Sequence, residues 1–236
     1  MVKILDCTIR DGGHTANWEF EDEYVIDLIK TLNNSKINYC EIGYRNHYET
    51  SGKGKFYNCT PQILEKFYKI KENLQIGVMT DIKRFSEEDF LNAKNDYLDF
   101  VRIATHPENI KNALEAAELL NSRGYKIFIQ LMDVTNIDTE GYLTLFEWKN
   151  KDILESLYFA DTYGKITPNE VENYYNKFKI LGFEKISFHG HNNIQMALNN
   201  ALKALNLGAY SIDVTQNGIG RNGGNLSAKE FFNTTL

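Results

Sequence analysis

The sequence predicts an α/β protein that folds as a single-domain (β/α)8 TIM barrel. Runs rich in β-branched and aromatic residues alternate with amphipathic stretches, and eight of each follow one another about every 25 to 35 residues. Alternating strands and helices form parallel sheets with helical crossovers. Eight such units in 236 residues fit a closed barrel better than an open sheet, so we expect residues 1–236 to form one domain.

Each element can be assigned in order. The strand candidates are Ile4–Ile9, Tyr39–Tyr44, Gln75–Met79, Phe100–Ala104, Lys126–Leu131, Ser156–Ala160, Lys185–His189 and Ser211–Thr215. The helix candidates are Glu21–Leu32, Pro61–Glu72, Ser86–Asn95, Pro107–Arg123, Thr139–Lys149, Pro168–Leu181, Ile194–Leu207 and Ala228–Asn233. Pro61 and Pro168 stand in first helical turns, where a missing N–H is tolerated. Gly124 and Gly208 follow helix ends, where a left-handed residue is favoured.

Composition excludes several classes of partner. The net charge is −6 and no basic stripe is present, which argues against nucleic acid. No apolar run approaches the ~18 residues that cross a bilayer, and the N-terminus has no signal-peptide pattern. Cys7, Cys40 and Cys59 are odd in number and widely spaced, as expected of reduced thiols. We therefore expect a cytoplasmic protein, and its oligomeric state is left open, with a homodimer as one option.

Titratable residues cluster at strand ends, which meet at one rim of such a barrel. Asp11 and His14 follow the first strand, while His189 and His191 stand two positions apart at the seventh. Alternate residues of a strand face the same side, so the two imidazoles can face one ion, with Asp11 as an oxygen ligand. This N/O set suits Mn²⁺, Zn²⁺, Co²⁺ or Fe²⁺, with Mg²⁺ as an alternative. Considered without Asp11, the two histidines are equally well explained as side chains whose hydrogen bonds are made within the protein and which bind no metal.

Other residues of the rim admit two interpretations each. Arg10 can brace a developing oxyanion or form an ordinary ion pair. His14 can act as a general base or be a loop histidine. Gly12 and Gly13 are expected to allow a sharp backbone turn there. Arg45, or Lys55 as an alternative, is expected to select the far end of a substrate.

Two glycine-containing segments also attract attention. The irregular stretch Asn46–Cys59 is a candidate active-site flap or a tolerated insertion. The segment Gly218–Gly223 matches the GxGxxG pattern, but it does not open a first βαβ unit as dinucleotide binding requires. We expect it to be the loop after strand eight, which either holds an anionic substrate group or places Asn225 at the metal.

Five segments together resemble the metal-dependent TIM-barrel lyases, which include 4-hydroxy-2-oxovalerate aldolase, hydroxymethylglutaryl-CoA lyase and the isopropylmalate synthases. They are Asp6–His14, Val101–His106, Ala160–Gly164, His189–Asn193 and Gly218–Asn225. The segments keep the family order and are spread over nearly the whole chain, from residue 6 to residue 225. The resemblance implies a divalent cation, with Mn²⁺ expected and Mg²⁺, Co²⁺ or Zn²⁺ as alternatives.

The resemblance also implies roles for single residues. Asp11, His189 and His191 would bind the metal, with Asn225 as a fourth ligand or beside it. Arg10 would stabilise an enolate, and Glu41 would orient Arg10 or a metal-bound water. His14 matches the base of the aldolases, which the CoA lyases do not share. Asp161 and Thr162 are expected to contact the substrate.

The aldolase branch is therefore the expected one, acting on a 4-hydroxy-2-oxo acid through a pyruvate-type enolate. The segment around His14 is also similar to aldolase-like proteins of less certain substrate, many of which carry an aromatic residue at that position. The C-terminal domain by which the classical aldolase docks its partner is expected to be absent. The alternatives are an acyl-CoA-dependent Claisen condensation and a catalytically silent barrel.

Overall fold

Eight parallel strands close into a barrel in chain order, which confirms the predicted fold. The structure is a computed structural model that describes residues 2–47 and 52–235. The closing seam joins the first strand to the last, so that Leu5 lies between Tyr39 and Asp213. The strands are β1 Lys3–Asp6, β2 Tyr39–Tyr44, β3 Gln75–Asp81, β4 Phe100–Thr105, β5 Lys126–Leu131, β6 Leu154–Asp161, β7 Ile186–Gly190 and β8 Ser211–Val214.

Within the described ranges the chain forms eight α-helices. They are α1 Thr8–Ala16, α2 Asp22–Asn33, α3 Pro61–Tyr68, α4 Ile110–Ser122, α5 Thr139–Glu147, α6 Pro168–Ile180, α7 Ala197–Asn206 and α8 Ala228–Thr235. Several predicted boundaries hold, because Pro61 and Pro168 open their helices and Gly124 and Gly208 take positive φ just past helix ends. No helix in these ranges is long and apolar enough to cross a membrane.

The first strand ends three residues earlier than predicted, and the residues after it form helix α1. The Asp6 carboxylate accepts hydrogen bonds from the backbone N–H and the hydroxyl of Thr8, at 3.0 and 2.9 Å. Such a local side-chain bond competes with the strand ladder and ends it. The sharp turn predicted at Gly12 and Gly13 is therefore wrong, because both glycines lie inside the helix.

Close packing explains why two glycines occupy a helix that they weaken. A Cβ at Gly13 would collide with the indole of Trp18, and one at Gly12 would lie 3.1 Å from the side chain of Ile219. Each glycine costs the helix about 1 kcal/mol relative to alanine. Their absence of a side chain lets Trp18 fold over α1 and donate a 3.0 Å hydrogen bond to the carbonyl of Arg10.

The helix predicted over Ser86–Asn95 is wrong, since only two short 3₁₀ turns occur there. Phe90 and Leu91 are adjacent, so no apolar stripe runs along this segment, and Leu91 is exposed. Phe90 is buried with its ring 5.2 Å from the guanidinium of Arg45. Arg45 also pairs at 2.5 Å with the buried Asp96. This ion pair and ring fill the outer layer where a helix was expected.

The barrel interior changes character along its axis. Near the amino-terminal ends of the strands, Tyr39, Phe100 and Phe128 pack edge to face with ring centroids 5.3 to 5.6 Å apart. Nearer the carboxyl ends, charged residues replace the rings, and the Arg102 guanidinium lies 4.7 Å above the ring of Tyr158. An aromatic floor thus supports a charged layer beneath the rim.

We expect Asp6 to make stability depend on pH. Burial raises the pKa of this carboxyl to about 6, against the opposing effect of its hydrogen bonds from Thr8. The folded state therefore holds its proton more tightly than the unfolded state. The corresponding stability is present below about pH 4 and is lost as the pH rises to about 6.

Asp6→Asn should remove this dependence and raise the free energy of unfolding relative to wild type above about pH 6. Urea denaturation of the metal-free protein from about pH 4 to 8 measures it, with the exposed Asp27→Asn as control. An Asp6→Asn effect of the same size at every pH would contradict the prediction.

Candidate active site

A cavity of about 370 Å³ opens at the carboxyl ends of the strands. Its wall combines residues that are far apart in sequence, which the closing of the barrel brings together. Those on which the chemistry depends are Arg10, Asp11, His14, His189, His191 and Arg221. Several of the polar residues predicted for the rim therefore face one space.

Asp11, His189 and His191 form a compact group of ligand atoms at the base of this cavity. One atom of each lies within 4.8 Å of the others, and all three side chains are buried. Asp11 is supplied by α1, and His189 by the end of β7. His191 lies just beyond β7 and forms an isolated β-bridge with Asn225. One helix and the end of one strand thus converge on a single point.

Both histidines are held by one ring nitrogen. The Nδ1 atom of His191 lies 2.8 Å from the backbone carbonyl oxygen of Asp161, which can only accept a hydrogen bond. The Nδ1 atom of His189 lies 2.8 Å from the carboxylate of Asp213. Each Nδ1 therefore carries the proton, and each Nε2 directs a lone pair toward the ligand group.

Burial keeps His189 neutral. It lowers the pKa of His189 to about 4, although the charge of Asp213 acts in the opposite direction. Burial alone would raise the pKa of Asp213, but the Arg102 charge and the His189 contact hold it below its usual value. A neutral imidazole backed by a carboxylate is the form that binds a divalent metal.

Three buried polar atoms in this group have no hydrogen-bond partner within the described ranges. They are Nε2 of His189, Nε2 of His191 and Oδ1 of Asn225. The Nδ2 atom of Asn225 donates to Asp11 and to the carbonyl of Ile219, which leaves its Oδ1 oxygen free. Each such atom costs roughly 1 to 3 kcal/mol if nothing satisfies it. The residues therefore fit a divalent cation with mixed nitrogen and oxygen ligands.

A buried chain of charges starts from Asp11. Arg10 pairs with Asp11 through Nη1, and its Nε donates to Glu41 at 2.6 Å. Glu41 also accepts two hydrogen bonds from Arg102, at 2.7 and 2.5 Å. Arg10 retains one buried nitrogen, Nη2, without a partner in the described chain. Glu41 thus contacts Arg10, while its predicted role, which is to orient either Arg10 or a metal-bound water, stays a prediction.

The chain of charges continues from Arg102 to His189. Arg102 donates at 2.6 Å to Asp213, whose same oxygen contacts His189. This chain of ion pairs contains three carboxylates and two guanidinium groups, so its net charge is −1. This imbalance in a buried site favours a bound cation.

His14 lies one helical turn beyond Arg10 on the same face of α1. Its Nε2 atom is 3.9 Å from Asp11 and 3.4 Å from the hydroxyl of Tyr44. Burial, together with the positive charges of Arg10 and Arg221, lowers the pKa of His14 to about 4 despite the charge of Asp11. The imidazole is thus neutral and able to accept a proton. It lies beside Asp11, His189 and His191, which we call the metal group.

Aromatic side chains form one wall of the cavity. The ring of Trp18 lies 4.8 Å from that of His14 and 4.7 Å from that of Tyr57. Lys53 places its ammonium 5.4 Å from the Trp18 ring. The predicted flap Asn46–Cys59 therefore contributes to the cavity through Lys53 and Tyr57, while its residues 48–51 lie outside the described ranges.

Some predicted site residues lie elsewhere. Arg45 is buried against the outer layer, where Cys59, Asp89 and Asp96 occupy its guanidinium, so it does not reach the cavity. The alternative, Lys55, pairs with Asp22 on α2 instead.

Asp161 and Thr162 also make contacts other than those predicted. The Asp161 carboxylate accepts the backbone N–H groups of Lys165 and Ile166, and Thr162 accepts that of Asp133. The contact of Asp161 with the metal-ligand candidates is made by its backbone carbonyl oxygen, which accepts a hydrogen bond from His191.

Two residues that position the site were missed. Arg102 and Asp213 are charged residues inside predicted apolar strands, and both are buried. A lone charge in such a strand was the available signal, because burying it requires a partner. No rule of local spacing indicates that the partner of Asp213 is a histidine of the neighbouring strand.

We expect Asp213→Asn to lower metal affinity about 10- to 100-fold, because the amide weakens the contact that fixes His189 and reduces the negative charge. His189→Ala should abolish stoichiometric binding. Calorimetric titration of the metal-free protein with Mn²⁺ measures both. Asp152→Asn, near the amino-terminal end of β6, is the matched control. Unchanged Mn²⁺ affinity in His189→Ala would exclude this metal site.

Comparison with known proteins agrees with this geometry. A family model described as HMGL-like matches residues 1–234. The chain is 27% identical to oxaloacetate decarboxylase of Mycobacterium tuberculosis over 227 residues, covering 94% of this chain and 66% of that protein. It is 24% identical to 4-hydroxy-2-oxovalerate aldolase of Bacillus cereus over 230 residues, covering 97% and 67%. The chain thus spans about two thirds of the length of these relatives.

A solved structure is more similar. The N-terminal domain of a "putative aldolase" from Bacteroides vulgatus superposes with a TM-score of 0.90 at 32% identity, covering 99% of this chain and 79% of that one. The predicted resemblance rested on five segments, and the family match extends it over nearly the entire sequence. The chain belongs to the HMGL-like family.

Proposed function

We propose that this protein is a divalent-metal-dependent carbon–carbon lyase that cleaves a 4-hydroxy-2-oxo acid to pyruvate and an aldehyde. The observation that carries the proposal is the placement of a neutral base, His14, and a cation with a free nitrogen, Arg10, beside the Asp11, His189 and His191 group. A relative named as a 4-hydroxy-2-oxovalerate aldolase supports it.

The residues can divide the reaction between them. When bound by Asp11, His189, His191 and Asn225, a divalent cation supplies Lewis-acid polarisation of a 2-oxo carbonyl group. His14 accepts the proton of the 4-hydroxyl group at the ring nitrogen that carries no proton. The bond between C3 and C4 then breaks, the aldehyde leaves, and the electron pair passes to C3 and the 2-oxo oxygen.

Arg10 stabilises the negative charge that this step creates. Its Nη2 atom is buried and unpartnered in the described chain, so it can donate a hydrogen bond to the oxygen that becomes negative. Glu41 and Asp11 hold the other two nitrogens and fix the plane of the guanidinium. Protonation of C3 completes pyruvate, and the imidazolium of His14 is one proton source within the cavity.

A second candidate is the decarboxylation of a 2-oxo acid that carries a carboxylate at C4. The relative named oxaloacetate decarboxylase, at 27% identity, favours testing it. Loss of carbon dioxide leaves the same enolate of pyruvate, but no proton has to be removed to break the bond. The two reactions therefore differ in their need for His14.

We expect purified protein supplemented with Mn²⁺ to release pyruvate from members of a panel of 4-hydroxy-2-oxo acids of increasing chain length, and chelation of the metal to stop the release. A coupled lactate dehydrogenase assay follows the product, with oxaloacetate as a parallel substrate. Absence of pyruvate from every hydroxy acid, in protein that binds Mn²⁺ stoichiometrically, would refute the aldolase proposal.

His14→Gln separates the two candidates. Loss of the base should reduce kcat for aldol cleavage about 10²- to 10⁴-fold, while the affinity for Mn²⁺ stays close to that of wild type. The kcat for decarboxylation of oxaloacetate should fall far less in the same variant. Equal losses in both reactions would contradict the role of His14 as the base for the 4-hydroxyl group.

A further inference from the structure

Two cations of the cavity wall have no carboxylate partner within residues 2–47 and 52–235. These are Arg221 and Lys53. By contrast, Arg10 is paired with Asp11 and Glu41. The Nε atom of Arg221 is buried without a hydrogen-bond partner, and Lys53 contacts only aromatic rings in the described chain. Within residues 2–47 and 52–235, the cavity therefore contains positive charge that no carboxylate neutralises.

The loop after β8 delivers Arg221 to this position. Gly220, the preceding residue, packs so closely against the metal group that a Cβ there would lie 2.9 Å from Oδ2 of Asp11 and collide with Asn225. The loop thus runs past the metal ligands, and its next side chain enters the cavity wall. Arg221 and His14 line the same cavity.

An unpaired guanidinium in a cavity is best satisfied by a carboxylate or phosphate oxygen pair, which matches its fork of N–H donors. The 2-oxo acid end of the proposed substrate is assigned to the metal group and Arg10. The cation at Arg221 and the exposed ammonium of Lys53 are then available to a different part of the same molecule.

We propose that the substrate carries a second anionic group at the end remote from the 2-oxo acid, and that Arg221, assisted by Lys53, binds it. This inference rests on the proposed 2-oxo acid site and narrows its substrate to dianions. A terminal carboxylate and a terminal phosphate share the required chemistry. Arg221 is thereby a specificity-determining residue, and neither proposed reaction needs it to transfer a proton.

A matched pair of ligands tests the proposal without turnover. 2-Oxoglutarate and 2-oxopentanoate have the same chain length and differ by a terminal carboxylate in place of a methyl group. Calorimetry of the Mn²⁺-loaded protein should show the dianion binding about tenfold or more tightly. Arg221→Gln should bring the ratio close to one, and Arg221→Lys should retain part of it. Arg123→Gln, whose side chain is paired with Glu87 away from the cavity, should leave it unchanged.

Other results would overturn the proposal or identify the second anionic group. Equal affinity of the wild type for both ligands overturns the proposal, and so does an Arg221→Gln variant that weakens both ligands by the same factor, since Arg221 would then bind the common 2-oxo acid end. Tighter binding of the analogue with a terminal phosphonate than of 2-oxoglutarate would assign the group as a phosphate. A dianion preference in protein that releases no pyruvate would support the binding site and count against the proposed reaction.

Discussion

The site depends on one buried chain of ion pairs that crosses the barrel from Arg10 through Glu41 and Arg102 to Asp213. Removing any partner would leave an uncompensated buried charge, at a cost of several kcal/mol. Because each member sits on a different strand or on the first helix, the chain also fixes where those strand ends stand relative to one another. These buried ion pairs therefore determine the geometry of the metal group, which lies above them at the carboxyl ends of the strands.

The same chain determines the state of the groups above it. Asp213 orients His189, while Arg10 is fixed beside Asp11 and retains one nitrogen that has no partner among the described residues. Burial and the positive residues around His14 keep that imidazole neutral. His189 and His14 are thus neutral imidazoles beside the charged guanidinium of Arg10, because burial acts on the two histidines while Asp11 and Glu41 keep Arg10 protonated.

The sequence predicted the barrel and the group of Asp11, His189 and His191, because both follow from periodicity and from the rule that strand ends meet at one rim. It did not predict helix α1, whose start is set by the bond between Asp6 and Thr8. Nor did it predict the positions of Arg45 or Asp213, since their partners are brought together by the closed barrel and the outer layer. Such contacts between distant segments have no local signature.

Helix α1 has a consequence for how such a barrel changes substrate. The candidate metal ligand Asp11, the cation Arg10 and the proposed base His14 all lie in this one helix, so they form one rigid body whose internal distances do not vary with loop motion. The residues expected to recognise the rest of the substrate belong to other segments, the loops after β2 and β8. The residues proposed to break the bond and those proposed to recognise the substrate therefore lie in separate segments of the chain. Exchange of a loop can then change which substrate is cleaved while the residues that cleave it stay the same.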